Sequence, residues 1–287
     1  MTQAVLPGAL WFITASAAAL FAIFYPIILA GVLSKRLKVG TQYAGMGALI
    51  FFLFQVISRI PLVSLISPLI APALRTSFAA LLAWLVVLAL TAGLFEEVGR
   101  YVGYRWLMRR QEKTWEKAVI YGVGHGGLES ILLVGVSLLT TVGLGLALLV
   151  LPPAALPKML YAQLALPYRA VAATPGWFPL LALWERLWTL PVHIALSVVV
   201  VQVFRRGQLR WLWFAILAHA LVDFTTVAIQ LPFSGQLIAA ALVPEALVAV
   251  FGLLALWVIR ALRFSAQTPG AVTAAPVAGS DPQQQFM

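Results

Sequence analysis

The chain has no cysteine in its 287 residues, which excludes a disulfide framework, a thiol nucleophile and a thiolate metal ligand. Charge is also scarce. Charged residues make up 10% of the sequence and hydrophobic residues 62%, whereas soluble domains are typically about a quarter charged. This composition excludes an ordinary soluble domain and predicts an all-α, polytopic transmembrane helix bundle.

Acidic residues are scarcer than basic ones: there are nine aspartates and glutamates against 19 lysines and arginines, which gives a net charge of +10. A basic chain can bind nucleic acid, but here the basic residues fall in short clusters between apolar runs. The clusters are "SKRLK" (34–38), "RWLMRRQEK" (105–113) and "FRRGQLR" (204–210). Such clusters are typical of cytoplasmic loops. We therefore expect the lipid bilayer as partner and no nucleic acid.

Runs of about 20 apolar residues are long enough to span a bilayer. The candidates are 9–33, 43–66, 77–105, 118–150, 179–203, 211–231 and 237–262. The fourth is too long for one straight span, so it is tilted, broken near Gly143 or Gly145, or extended beyond the bilayer. Seven spans are predicted, and eight if this run crosses twice.

Seven crossings with the N-terminus outside and the C-terminus cytoplasmic place all three basic clusters on one side. Residues 1–264 are then a single transmembrane helical domain, with a long outside connection at 152–178. Residues 265–287 are rich in Ala, Pro, Gly and Gln, a composition that predicts a disordered tail. We expect an integral protein of a bacterial cell membrane.

Six of the nine acidic residues and all three histidines lie in or beside the apolar runs. Charged side chains at the bilayer centre cost about 2.5–3.5 kcal/mol on insertion scales, so they usually face a bundle interior and mark function. Three helices each carry a polar pair four residues apart, and residues at that spacing share one helix face. The pairs are Glu96 with Arg100, His125 with Glu129, and His219 with Asp223.

Counting along the helices places these groups at one depth. Glu97 lies 13 residues before Arg110, His125 eight after Lys117, His219 nine after Arg210, and His193 twelve before Arg205. At a rise of about 1.5 Å per residue, each is about 12–20 Å from a basic cluster.

Taken singly, each motif leaves a plainer interpretation open: a helix end at the interface, a packing histidine, or a structural hydrogen-bonded pair. Arg59 and Glu185 are expected to form a structural ion pair.

Carboxylates and histidines, without cysteine or a Ser-His-Asp set, fit the activation of water. In one version His125, His219 and Glu96 bind a divalent metal such as Zn²⁺, whose water becomes a nucleophile near neutral pH. In the other, Glu96 is the general base on a water held by His125, while His219 and Asp223 polarise the carbonyl. The spacing fits both versions, and the sequence contains no HExxH zinc-protease motif.

Three stretches carry a family resemblance: "FEEVGR" (95–100), "YGVGHGGLES" (121–130) and "AHALVDF" (218–224). In order and content they resemble the motifs of the CAAX-protease and bacteriocin-processing (CPBP) superfamily of intramembrane proteases, and they are most similar to its YhfC-like branch of predicted peptidases. The resemblance implies an all-helical membrane core. It also implies that Glu96 activates water, with Glu97 as the second glutamate, His125 as the second-motif histidine, and His219 with Asp223 forming an oxyanion hole.

The motifs depart from the superfamily pattern at two points. The arginine of the first motif, Arg100, follows the glutamates one residue sooner than usual, and Asp223 stands where asparagine is common. An aspartate can donate to an oxyanion only when protonated. Supporting roles are expected for Arg100, for Glu129 as a partner that orients His125, and for His193.

The sequence thus predicts an intramembrane peptidase that cleaves a protein or peptide substrate near the cytoplasmic membrane face, with Zn²⁺ as cofactor if a metal is used. Two alternatives remain at this stage. One is a proton- or ion-coupled transporter, because buried acidic and histidine side chains also form relays. The other is a catalytically silent membrane scaffold or immunity protein with the same fold.

Overall fold

The computed structural model describes residues 6–151, 155 and 157–264, and this part of the chain is helical, without strands. The predicted tail at 265–287 lies outside the described residues. In these residues eight long helices follow one another: α1 Ala9–Leu37, α2 Gln42–Thr76, α3 Phe78–Leu107, α4 Trp115–Val150, α5 Lys158–Ala172, α6 Pro179–Arg206, α7 Arg210–Ala228 and α8 Leu237–Phe264. A short 3-10 helix, Leu231–Phe233, lies between α7 and α8.

Seven of these helices are long and apolar enough to cross a membrane, which confirms the predicted all-α bundle and span count. The long run at 118–150 is one continuous helix through Gly143 and Gly145, and its irregularity is a π-helical turn at Ser130–Val136. The predicted connection at 152–178 contains the unpredicted helix α5, with Pro167 inside it.

Helix α6 is the centre of the bundle. In its most apolar window 72% of the residues are buried, against 17–28% for the other six spanning helices. It packs against α1, α3, α4, α7 and α8, while α4 also packs against α2, and α3 against α7. Its middle is the small and β-branched run "ALSVVVV" (195–201), which lets several neighbours pack on every side. A polar side chain in the middle of α6, such as His193, is therefore enclosed by helices and shielded from lipid.

Glycines in α4 bring this helix close to two neighbours. A Cβ built on Gly122 would lie 2.6 Å from the Ile194 Cα on α6, and one on Gly124 would lie 1.9 Å from the Ala44 carbonyl oxygen on α2. Only a residue without a side chain allows such approaches. Since His125 follows Gly124 directly, the close packing fixes this histidine between α2 and α6.

The second and third basic clusters meet at one end of the bundle. Lys113, before α4, lies over the Phe204 ring near the end of α6, and Arg263 of α8 lies over the Trp115 ring at the start of α4. The Trp115 indole also donates to the Ile259 carbonyl at 2.9 Å. These contacts join the loop ends that carry the second and third clusters to the end of α8.

Candidate active site

Glu96 of α3 is the centre of a buried polar cluster, and its residue is 3% exposed. The Gln55 side-chain amide donates to its Oε1. Its Oε2 lies 3.0 Å from His125 Nε2, 3.4 Å from Arg100 Nη2 and 3.7 Å from His193 Nδ1. Since α3 continues eleven residues beyond Glu96 to Leu107, the interpretation of this glutamate as a helix end at the interface is wrong.

Glu97 lies in the interior of the cluster and is 0% exposed. It accepts from Arg100 Nη1 and lies 2.7 Å from His219 Nδ1. Arg100, also 0% exposed, thus contacts both glutamates from within one helix, as the four-residue spacing predicts. Glu97 holds the charged arginine and the α7 histidine in place and does not line the neighbouring cavity.

His193 of α6 is more central than the sequence indicates. Its Nδ1 lies 2.8 Å from Arg100 Nη2, and its Nε2 lies 2.9 Å from Glu129 Oε2. Because a guanidinium can only donate, His193 Nδ1 accepts and the neutral ring carries its proton on Nε2, which donates to Glu129. Glu129 therefore orients His193, and the expectation that it orients His125 is wrong.

Arg186 binds two carboxylates at one end of the cluster. Its Nη1 donates to Glu129 at 2.8 Å and its Nη2 to Glu185 at 2.5 Å. The expected ion pair between Arg59 and Glu185 is not formed, because Glu185 binds its sequence neighbour. Arg59 donates instead to Thr91, to the Leu88 carbonyl and to the Gln55 side chain.

A cavity of about 370 Å³ reaches the cluster from one side. Most of its wall is apolar, and its polar part includes Glu96, His193, His219 and Asp223. Asp223 lies with Oδ2 3.7 Å from His219 Nε2, and 39% of its side chain is exposed. His125, by contrast, is 0% exposed and lies behind Glu96, outside the lining of the cavity. A water in the cavity therefore meets Glu96, His193 and His219 before it meets His125.

His219 has a constrained proton arrangement. Its Nδ1 faces the Glu97 carboxylate and must carry a hydrogen to bond there, so in the neutral ring Nε2 is an acceptor. Only the imidazolium form donates from both nitrogens, to Glu97 and toward the cavity. Any role for His219 as a donor to substrate therefore requires the charged ring.

Gln55, like His193, is a polar contact of Glu96 that the motifs do not contain. It lies on α2, outside the three motif stretches, and is 5% exposed. The available signal was a lone amide in an apolar span, four residues before Arg59. Without a companion motif, that signal is too weak to identify a partner of Glu96.

Comparison with known proteins gives a family. A family model described as "YhfC intramembrane metalloprotease" matches residues 21–248, which include all the cluster residues. The chain belongs to the YhfC family. It is also similar to "Uncharacterized membrane protein YhfC" of Bacillus subtilis (strain 168), with 32% identity over 180 residues, or 61% of this chain and 67% of that protein. No solved structure matches.

The YhfC family description names a metal, and the donor set can be tested for one. Glu96, His125 and His193 offer ligand atoms within 4.8 Å of one another, and two imidazoles with one carboxylate are a common catalytic zinc set. Glu129 on the far nitrogen of His193 is the usual carboxylate partner of a ligating histidine. His219, a ligand in the sequence hypothesis, is not in this group.

The donor set thus fits a divalent metal by type and spacing, with Arg100 as a competitor. The guanidinium donates to His193 Nδ1 and to Glu96 Oε2, which are the atoms a metal would need. Metal binding would require Arg100 to release both.

Proposed function

We propose that this YhfC-family protein is an intramembrane peptidase that hydrolyses peptide bonds of a protein or peptide substrate. The observation that carries the proposal is Glu96, a buried carboxylate at the wall of a cavity, with nitrogens of all three histidines within 4 Å of its oxygens. The family description supports the same activity. Eleven residues of helix beyond Glu96, at about 1.5 Å each, put the reaction about 16 Å below the end of α3 that carries basic residues. We assign that end to the cytoplasmic side.

Glu96 acts as general base in this mechanism. It takes a proton from a water in the cavity, and the water oxygen attacks the peptide carbonyl carbon to form a tetrahedral oxyanion. Glu96 then returns the proton to the amide nitrogen as the C–N bond breaks, so one water is consumed and a carboxylic acid and an amine are formed. General base catalysis of this kind contributes about 10²–10⁴-fold in rate.

His219 and Asp223 stabilise the oxyanion. Both line the cavity beside Glu96, and His219 Nε2 lies 3.9 Å from Glu96 Oε1. As an imidazolium it donates to the oxyanion while Glu97 holds its other nitrogen. Asp223 contributes a donor only when protonated, so its share depends on its protonation state.

If a metal is used, Glu96, His125 and His193 hold it. Zn²⁺ would supply a Lewis acid and a more acidic bound water. Glu129 keeps His193 in the orientation that presents Nδ1, and Arg100 compensates the carboxylate charge when no metal is bound. Zn²⁺ as the particular ion is part of the proposal.

The wider placement in the CPBP superfamily is likewise proposed, on the three motif stretches. So are a single domain over residues 1–264, a location in a bacterial cell membrane, and an outside N-terminus with a cytoplasmic C-terminus. The shared end of the basic clusters supports this orientation.

Cleavage of a peptide library by the detergent-purified protein, read by mass spectrometry, tests the function. We expect wild type to cleave and Glu96→Gln, which keeps the shape and loses the base, to fall by about 10²-fold or more. A metal chelator, followed by restoration with Zn²⁺, tests the cofactor. Full activity after thorough metal removal would exclude the metal version.

Three outcomes would contradict parts of this proposal. Wild type and Glu96→Gln that cleave equally would exclude Glu96 as the base. A wild type that cleaves nothing but drives proton-coupled uptake in liposomes, with uptake lost in Glu96→Gln, would identify a transporter. A wild type that shows neither cleavage nor uptake would favour a silent scaffold.

A further inference from the structure

A residue outside the three motifs donates to Glu96 on the oxygen that His125 and Arg100 do not contact. The Gln55 Nε2 donates to Glu96 Oε1, while His125 and Arg100 contact Oε2. Gln55 is buried and also lines the cavity. Each carboxylate oxygen thus has its own partner, which fixes the plane of the Glu96 carboxylate.

The orientation of the Gln55 amide follows from its two neighbours. Arg59 Nη1 can only donate, and it lies 3.4 Å from Gln55 Oε1. The Glu96 carboxylate can only accept, so it requires the Nε2 end. Arg59 and Glu96 therefore select the same orientation, because a flipped amide would place oxygen against the carboxylate and N–H against the guanidinium.

The local backbone explains how α2 presents this pair. Phe52–Arg59 is a π-helical segment, with Gln55 and Arg59 both inside it. Such segments are rare and are found frequently at functional sites. Arg59 is anchored in turn on α3, where its Nη2 donates to the Leu88 carbonyl at 2.6 Å and its Nε to Thr91 at 3.2 Å. This anchor ties Gln55 to the helix that carries Glu96.

We propose that Gln55, oriented by Arg59, is the positioning residue for Glu96 in the hydrolysis. The amide holds Oε1 so that the carboxylate keeps one face toward the cavity water. The inference rests on the proposed function and extends its site to a fifth helix, α2, which contributes none of the three motifs. Loss of a partner that orients an active group typically costs about 10–100-fold in activity.

A matched pair of glutamines makes the test specific. Gln202 on α6 is also buried, accepts from an arginine four residues later (Arg206 Nε, 3.1 Å) and donates to the Val198 carbonyl at 3.1 Å, but it does not line the cavity. Gln202→Met therefore removes the same chemical group at a similar structural cost. Gln55→Met removes the donor, and Gln55→Glu keeps the shape and the contact to Arg59 while removing the donated N–H.

The test consists of two measurements on the full-length protein in detergent. In the peptide assay, we expect Gln55→Met and Gln55→Glu to lower kcat by about 10-fold or more with KM within about threefold, and Gln202→Met to change neither by more than about threefold. In infrared spectra, the wild-type-minus-Glu96→Gln difference isolates the Glu96 carboxylate band. We expect that band to shift in Gln55→Met and not in Gln202→Met.

The two proposals fail differently. If Gln55→Met matches Gln202→Met in kcat and leaves the Glu96 band in place, the positioning role is refuted while the peptidase stands. If the band shifts but wild type cleaves no peptide, the contact is supported and the peptidase is refuted. A Gln55 variant that raises KM and leaves kcat unchanged would make Gln55 a substrate-binding residue and overturn the inference.

Discussion

Replacement of Gly122 by alanine tests the packing that builds the site. The added Cβ would lie 2.6 Å from the Ile194 Cα and 3.1 Å from both the His193 carbonyl oxygen and the Ser197 Cβ. Carbon atoms in ordinary contact are about 3.5–4.0 Å apart. Two of the three opposing atoms belong to the α6 backbone, so no side chain can rotate away and the helices must separate by about 1 Å.

The expected cost follows from this overlap. Overpacking of a filled interior typically costs about 1–3 kcal/mol. Gly143, in the same helix, is the control, because its added Cβ would have nothing within 4 Å. Both substitutions gain about 1 kcal/mol from helix propensity, and this gain cancels in the comparison. The two variants should therefore differ by about 1–3 kcal/mol, with Gly122→Ala the less stable.

Thermal unfolding in detergent, followed by the fluorescence of the ten tryptophans, measures this difference. At about 2–4 °C per kcal/mol, Gly122→Ala should melt about 2–12 °C below Gly143→Ala. Peptidase activity should fall with it, because His193 moves relative to its partners on α3 and α4. Equal melting temperatures and activities for the two variants would refute the close approach of α4 and α6.

Two further predictions concern charged residues of the cavity. Arg186→Met leaves the Glu129 and Glu185 carboxylates without their cation and should destabilise the protein by about 3 kcal/mol in the same melting assay; adding Glu185→Gln should restore part of the loss, and no restoration would contradict the pairing. Asp223→Asn supplies a neutral amide donor and should keep at least wild-type kcat, whereas Asp223→Leu should lose about 10²-fold; equal kcat in both variants would remove Asp223 from the oxyanion site.

The bundle was predictable because hydropathy and length suffice to identify spanning helices. The predicted seven runs correspond to the seven long helices, although α2 continues ten residues past its predicted end, to Thr76. Proline and polar residues between 60 and 76 favoured an earlier end for this helix. In a membrane, however, a helix can continue through prolines when neighbouring groups satisfy the freed carbonyls. The helix α5 was missed because its apolar character is weak and interrupted by Pro167.

The residues near the site were easier to predict than the contacts that they make with each other. A four-residue spacing identifies one face of one helix, and it correctly links Glu96 with Arg100. It does not determine how helices rotate against each other. His125 and Glu129 share a face by the same rule, but His125 contacts Glu96 and Glu129 contacts His193. Those contacts depend on where the glycines of α4 let α6 approach, which no local pattern encodes.

The cost of this cluster argues for a chemical role. Buried ion pairs are often no more stable than well-packed apolar residues in their place, because desolvation offsets the attraction. Here Glu96, Glu97 and Arg100 are almost fully buried in one span. A gain in stability is therefore not the expected reason for their presence. The proposed activation of water would account for it, because that reaction requires a carboxylate that is shielded from lipid, fixed in orientation and open to a cavity on one side.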